Sequence, residues 1–372
     1  MIPACDIAPA HIKAIAAYQP GKPTSELARE LNLDESSIIK LASNENPLGA
    51  SPAAIRAIER VLNGIALYPD GSGFDFKSAL MKKYGVTREQ IVLGNGSNDV
   101  LELAARTFLT ARDSAVCAQY AFAVYALAVQ AIGAKKIEVA AKDYGHDLPA
   151  MAKALREDTR IVFIANPNNP TGTFASADTL LAFVEAISER VIIVLDEAYT
   201  EYLPPTLKVD TIAWLKRFPN LVITRTLSKA YGLAGLRVGF AVAHPDVADL
   251  MNRLRQPFNV NSLALAAAEA ALNDDAFLAK SAELNSTGLA QLAEGFERLG
   301  LSYIPSYGNF VSVEVGDGAA MFQFLLQQGV IVRPIAGYGM PRHLRVSVGL
   351  PQQNERFLAA LAEGLQQFAS HR

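Results

Sequence analysis

The residues best suited to chemistry lie in Thr226-Leu-Ser-Lys-Ala-Tyr-Gly-Leu-Ala-Gly-Leu-Arg-Val-Gly-Phe240, where a lysine and an arginine share a loop of small residues. Lys229 offers an amine that can bond covalently to an electrophile or, when neutral, carry a proton. Ser228 and Arg237 together suit a phosphate, and the glycines around them let backbone approach something bulky. Taken alone, the stretch reads equally well as a surface turn with a solvated lysine. Three upstream segments add partners. Asp196-Glu-Ala-Tyr199 follows an apolar run, and a carboxylate ending such a run is costly unless something cationic or protonated pairs with it. A satisfied structural carboxylate, a magnesium ligand and the partner of a pyridinium nitrogen all meet that condition. In Asn166-Pro-Asn-Asn-Pro-Thr-Gly172, Asn169 is held by two flanking prolines at the end of another apolar run. Gly94-Asn-Gly-Ser-Asn98 opens an amphipathic helix, with Ser97 or Asn98 expected as its cap and the N–H groups of its first turn available to an anion. The spacing is neither the GxGxxG dinucleotide fingerprint nor a P-loop, so a single phosphate fits better than a pyrophosphate.

These groups have to be positioned by strand ends. Leu221–Thr224, Arg160–Ala165, Arg190–Leu195 and Ala115–Ala118 are continuous apolar strands alternating with helical patterns, and Lys136–Ala140 adds another. That alternation predicts an α/β fold with a mostly parallel sheet covered by helices on both faces, whose carboxyl edge is where ligands bind. Helices are expected from Ser51-Pro52, over Phe76–Tyr84 and Val100–Phe108, across an alanine-rich stretch Ser262–Leu272, and then to about Leu299. A small α+β unit follows, with strands at Tyr303-Ile304, Asn309–Glu314, Val330–Arg333 and Leu344–Val348. Residues 1 to about 35 read as an arm. At 372 residues and 51% hydrophobic composition the chain exceeds one usual core, which predicts a large domain with a smaller companion.

The formal charge of −3 is interspersed, which argues against a nucleic-acid or membrane-surface partner. The start lacks the pattern of a signal peptide, and no run approaches the roughly 18 apolar residues needed to cross a bilayer, so a cytoplasmic location is expected. Cys5 and Cys117 are expected to be reduced and structural, and no metal site is expected.

A lysine amine, a carboxylate, a tyrosine, an asparagine and a cradle of Ser97, Asn98, Ser228 and Arg237 together fit pyridoxal 5′-phosphate. At these motifs the chain resembles the fold-type I pyridoxal-phosphate aminotransferases of class II, and within them it is similar to the histidinol-phosphate aminotransferases. The resemblance runs through Leu41–Gly49, Tyr68–Gly73, Gly94–Asn98, Asn168–Gly172, Asp196–Tyr199, Thr226–Gly239 and Leu344–Gly349. It implies residues 1–49 as an N-terminal arm and part of the small domain, 50–261 as the large cofactor-binding domain, and 262–372 as the C-terminal small domain. It further implies that Lys229 holds the cofactor through an imine and then moves the α-proton, that Asp196 keeps the ring nitrogen protonated, and that Tyr199 and Asn169 hydrogen-bond the phenolic oxygen. Phe122 takes the position of the stacking aromatic. Tyr120 stands where the family usually has proline, which leaves open which of the two rings stacks. For the substrate, Arg345 is implied to grip the anion bidentately, joined by Arg333 and Asn44, with Tyr18 on the substrate phosphate. In a homodimer, Tyr68 would reach the cofactor phosphate of the other subunit.

The implied reaction transfers the amino group of glutamate to imidazole-acetol phosphate, giving histidinol phosphate and 2-oxoglutarate in histidine biosynthesis. An aromatic-amino-acid aminotransferase and a threonine-phosphate decarboxylase share the fold and remain alternatives. A non-catalytic binding module is an alternative of another class, against which Lys229 argues.

Overall fold

The computed structural model describes residues 4–17 and 21–369, so Tyr18 lies outside the described residues. The first strand, β1 (Ile39–Lys40), pairs in parallel with a strand near the other end of the chain. Seven strands then form one sheet: β2 (Ile91–Gly94), β3 (Ser114–Ala118), β4 (Lys135–Val139), β5 (Thr159–Ala165), β6 (Ile192–Asp196), β7 (Leu221–Thr226) and β8 (Gly239–Ala243). Their order is β2-β8-β7-β6-β5-β3-β4, with β3 to β7 parallel and β8 antiparallel to both its neighbours.

Alternate side chains of a strand point to opposite faces. Ile161, Phe163 and Val194 pack on one face of the sheet, while Val162, Ile164, Ile193, Leu195 and Ile223 pack on the other. Both faces are covered by helices, which is why the sequence shows unbroken apolar runs rather than alternation. Edge strand β4 differs: Lys135, Lys136 and Glu138 are exposed, and charged side chains there discourage pairing with another chain. Strand β8 is not announced by the small-residue pattern around Gly239. It leads straight out of the Lys229 loop and is buried throughout.

The remaining strands are β9 (Tyr303–Ile304), β10 (Phe310–Glu314), β11 (Val330–Ile331), β12 (Arg333–Pro334) and β13 (His343–Ser347). Four of them make an antiparallel sheet in the order β12-β13-β10-β9, and β11 is the partner of β1. The single strand expected over Val330–Arg333 is therefore divided, because Val330 and Ile331 pair with β1 whereas Arg333 and Pro334 pair with β13. Val313, Leu344 and Val346 pack against Phe296, Leu325 and Phe357 of three helices, forming a second core. The helix Ser262–Leu272 packs instead on the helix Pro52–Val61, and its buried alanines join the core beside the large sheet.

Local signals place the helix starts. Ser51 accepts a hydrogen bond from the Ala54 amide with Pro52 in the first turn, and Asp274 and Asp317 cap two later helices in the same way. The Lys229 loop is set by close backbone contact. Gly232 has φ +71°, and a Cβ there would lie 1.9 Å from the Gly49 carbonyl oxygen. Gly232→Ala is expected to lower the unfolding free energy by about 1–3 kcal/mol, from the backbone conformation and the clash together. Urea denaturation would measure this, and a change below roughly 0.5 kcal/mol would show that the loop is not held by this contact.

Candidate active site

Strands β5, β6 and β7 end together at Ala165, Asp196 and Thr226, on the carboxyl edge of the large sheet. The neighbouring strand β3 sends its chain outward to β4 while β5 sends its chain the other way to β6, and ligands bind in the crevice such a divergence opens. A cavity of about 210 Å³ lies there. It brings together Asn44, Ser97, Asn98, Phe122, Asn169, Asp196, Tyr199, Ser228, Lys229, Arg237, Arg333 and Arg345, all anticipated from the sequence.

One end of the cavity is a cradle for an anion. The helix Ser97–Phe108 is capped by Gly96 at φ 82°, with no side-chain cap. This corrects the expected role of Ser97 or Asn98: both are the first helical residues, and the glycine turn leaves their side chains to line the cavity. A Cβ on Gly96 would lie 2.4 Å from Arg237 Nη2, and one on Gly239 would lie 2.5 Å from the Ser97 amide nitrogen. Only glycine allows the arginine and β8 to come this close to the helix start. Arg237 donates to Ser228 Oγ at 3.2 Å and to the Ala234 carbonyl at 3.2 Å. Helix N–H groups, hydroxyls and a guanidinium in one place make a donor set fitted to a phosphate monoester.

In the middle stand the lysine and the carboxylate. Lys229 Nζ donates to the Ser43 carbonyl at 3.1 Å. Its burial, and next the charge of Arg345, bring its pKa down to about 8, with Glu45 opposing and Arg237 and Lys40 contributing. Asp196 is buried, which pushes its pKa up to about 6 against the hydrogen bonds it accepts. Tyr125 Oη donates to Oδ2 at 2.7 Å and Thr224 Oγ1 donates to Oδ1 at 3.0 Å. Glu197, next in sequence, is occupied elsewhere: Arg225 donates twice to its Oε2, at 2.9 and 2.7 Å, and Thr211 donates to Oε1 at 2.6 Å.

The remaining wall comes from distant segments. Tyr199 Oη accepts from Asn44 Nδ2 at 2.9 Å, and burial raises the tyrosine pKa to about 12. Asn44 has φ 54° and is fixed by Ser347, whose hydroxyl accepts from its amide and donates to its Oδ1, and by Asn309, which donates to its carbonyl. Arg345 donates to Asn169 Oδ1 at 2.6 Å and to the Ala42 carbonyl at 2.8 Å. Arg333 and Arg345 are direct partners across β12 and β13. Like charges in register are unfavourable by themselves, and an anion between them relieves the repulsion.

Phe122, not Tyr120, lines the cavity; Tyr120 lies outside it against Tyr144, with ring centroids 6.0 Å apart. Tyr68 does not line this cavity; it is 82% exposed and stacks on Phe258 at 4.8 Å. Tyr125 and Thr224 are not among the expected site residues. Tyr125 could have been found from its place three residues after Phe122 at the start of a helix, which puts both on one face.

A family model described as aminotransferase class I and II matches residues 36–361, and the chain belongs to this family. It is 62% identical over 363 residues, 97% of its own length and 93% of the relative's, to histidinol-phosphate aminotransferase 2 of Nitrosospira multiformis. It is 61% identical over 358 residues, 96% and 93% of the two lengths, to histidinol-phosphate aminotransferase 1 of Thiobacillus denitrificans. The solved structure of histidinol-phosphate aminotransferase from Sinorhizobium meliloti in complex with pyridoxal-5′-phosphate is similar at TM-score 0.90 and 27% identity, covering 99% of this chain and 100% of that one. The fold is that of the fold-type I aminotransferases.

The raised Asp196 pKa has a consequence for stability. In the folded cofactor-free protein this group binds its proton up to about pH 6, whereas its ordinary value is 3.8. Its contribution is therefore fully present below pH 3.8 and is lost as pH rises to about 6. Asp196→Asn cannot ionise, so the variant should gain stability relative to the parent from pH 4 to 6, by about 1–3 kcal/mol, and hold that gain above. Denaturation of both proteins across this range tests it; a difference independent of pH would show that Asp196 titrates normally.

Proposed function

We propose that this protein transfers the amino group of glutamate to imidazole-acetol phosphate, forming histidinol phosphate and 2-oxoglutarate in histidine biosynthesis, with pyridoxal 5′-phosphate as cofactor. The observation that carries the substrate assignment is identity above 60% over nearly the whole chain with relatives named for that reaction. The cavity supports the cofactor: its glycine-walled phosphate cradle, buried carboxylate and depressed lysine pKa suit a flat, phosphorylated ring with a protonated nitrogen. When bound, pyridoxal phosphate supplies an electron sink for negative charge at the substrate α-carbon.

The chain's own residues do the rest on this reading. Ser97, Asn98, Ser228 and Arg237 hold the cofactor phosphate. Lys229 Nζ would anchor the cofactor and, as a free neutral amine, would take the proton from the substrate α-carbon and deliver it to the carbon on the other side of the amine nitrogen. A pKa near 8 leaves a useful fraction of this amine neutral near neutral pH. Asp196 keeps a proton on the ring nitrogen. Tyr199 takes its hydrogen bond from Asn44 and retains its own proton to donate to the phenolic oxygen, beside the amide N–H of Asn169. Phe122 supplies the aromatic face. Arg345, held by Asn169 and Ala42, meets the substrate anion together with Arg333 and Asn44, and Tyr18 is assigned to the substrate phosphate by the family resemblance alone.

The boundaries 1–49, 50–261 and 262–372 are part of this reading, although the helix Ser262–Leu272 at the start of the last segment packs into the core of the large domain. So is a homodimer. Ile65, Leu67, Tyr68, Phe74 and Phe258 are 45–82% exposed around the Tyr68 loop, a patch suited to a second copy that would carry Tyr68 to the partner's cofactor phosphate. A cytoplasmic location fits, since no helix among the described residues is long and apolar enough to cross a membrane. No specific observation favours an aromatic-amino-acid aminotransferase, a threonine-phosphate decarboxylase or a non-catalytic module.

The substrate is tested by mixing holoprotein with single amines and following the cofactor absorbance. Histidinol phosphate should react with kcat/KM roughly 100-fold above phenylalanine, tyrosine or threonine phosphate, and a preference for any of these would overturn the assignment. The shared site is tested by co-expressing Lys229→Ala with Tyr68→Ala. Each variant alone should be nearly inactive, but half of randomly formed dimers are mixed and each of those keeps one intact site, so activity should recover to roughly a quarter of the parent's. No recovery, with mixed dimers demonstrated, would place Tyr68 outside the partner's site.

A further inference from the structure

We propose that Tyr125 is a positioning residue of this site: its hydroxyl, acting through Asp196, sets where the proton shared between that carboxylate and a bound ring nitrogen resides, and its ring braces Phe122. The inference rests on the cofactor reading above.

The geometry is specific. Tyr125 Oη lies 2.7 Å from Asp196 Oδ2, the length of a charge-assisted bond, while Thr224 occupies Oδ1 at 3.0 Å. Each carboxylate oxygen thus has one side-chain donor, and Asp196 and Tyr125 both line the cavity. The Tyr125 ring is 1% exposed, stacked on Phe163 at 4.9 Å with an 8° interplanar angle, and meets Phe122 edge to face at 5.8 Å and 87°. It has no room to swing its hydroxyl away. Burial, and then the neighbouring Asp196 charge, hold its own proton far above the ordinary tyrosine range, so it remains a donor across the working pH.

The groups that bear on Asp196 are few. Tyr125 comes from the helix Ala123–Ile132, the hydroxyl of Thr224 from β7, and Glu197 and Tyr199 from the segment after β6; Cys117 of β3 lies behind Tyr125. Glu197 is engaged by Arg225 and Thr211 and donates nothing. Burial, and after it the Glu197 charge, drive Asp196 toward its neutral acid, and the two hydroxyls, with the Ala198 backbone N–H, oppose that drive. With the hydroxyls in place the carboxylate stays ionised and the proton sits on the ring nitrogen. Without Tyr125 the proton moves toward the carboxyl, the ring loses positive charge, and it withdraws less charge from the reacting carbon.

Tyr125→Phe keeps the ring and its stacking, and two readouts separate the proton effect from a structural one. In the cofactor-free protein, the Asp196 carboxyl carbon followed by NMR should titrate about one unit higher in Tyr125→Phe than in the parent. In the holoprotein, the pH midpoint of the cofactor absorbance should rise by a similar amount, because a less charged ring makes the lysine-bound chromophore more basic. Across the same pair kcat should fall about tenfold, one unit of proton affinity, with KM for the amine within about twofold. Replacing Tyr125 with 3,5-difluorotyrosine, a stronger donor with the same fold requirements, should move both midpoints the opposite way. An unchanged Asp196 titration in both variants would overturn the inference, as would a shifted Asp196 with an unmoved cofactor midpoint. If the parent protein bound no pyridoxal phosphate at all, the cofactor reading itself would fall, and the ring half of this inference with it.

Discussion

A carboxylate at the end of a strand buried on both faces is the constraint on which this structure depends. Asp196 has left water, and the cost of its charge has to be offset by donors and by a cationic partner. The side-chain donors are Tyr125 from one helix and Thr224 from the next strand. The parallel arrangement of β5, β6 and β7 then brings Asn169 and Lys229 to the same edge, because each follows a strand ending at the same level. The chemistry of the site follows from where three strands stop.

A second constraint is the excess of positive charge around that carboxylate. Lys229, Arg237, Arg333 and Arg345 line one cavity, and two of the arginines face each other across a strand pair. Such a site is at ease when it holds anions, and a cofactor phosphate with an anionic substrate supplies them. After burial, Arg345 and Arg237 help lower the Lys229 pKa, so the arginine that would grip a substrate anion also helps keep the amine neutral for proton transfer. The small antiparallel sheet closes this arrangement, since Arg345 and Ser347 of β13 fix Asn169, Ala42 and Asn44 through contacts between residues far apart in the chain.

Much of this was legible in the residues. The apolar runs of β5, β6 and β7 identify a parallel sheet, and Lys229, Asp196 and Asn169 stand at its carboxyl edge because the runs stop just before them. The cradle was legible as a glycine-led helix start, but the cap was misplaced: Gly96 takes a left-handed conformation that no side chain at 97 or 98 needed to supply. Strand β8 was hidden because Gly and Ala in Gly239–Ala243 carry little strand signal; its place between β2 and β7 comes from tertiary packing. The role of Tyr125 was not legible either, because its partner Asp196 is 71 residues away and the bond depends on how a helix sits on the sheet. Asn44 has the left-handed backbone of a turn residue, and the bonds to Tyr199 and Ser347 that make it part of the site span 155 and 303 residues.

On the proposed function, buried Asp196 is ionised against a protonated ring. Reconstituting the protein with pyridoxal phosphate labelled with nitrogen-15 in the ring and recording the nitrogen resonance at neutral pH tests it directly. The expected resonance is that of a protonated pyridinium, persisting above pH 7 and disappearing in Asp196→Asn. A neutral ring nitrogen in the parent protein throughout pH 6 to 9 would contradict it.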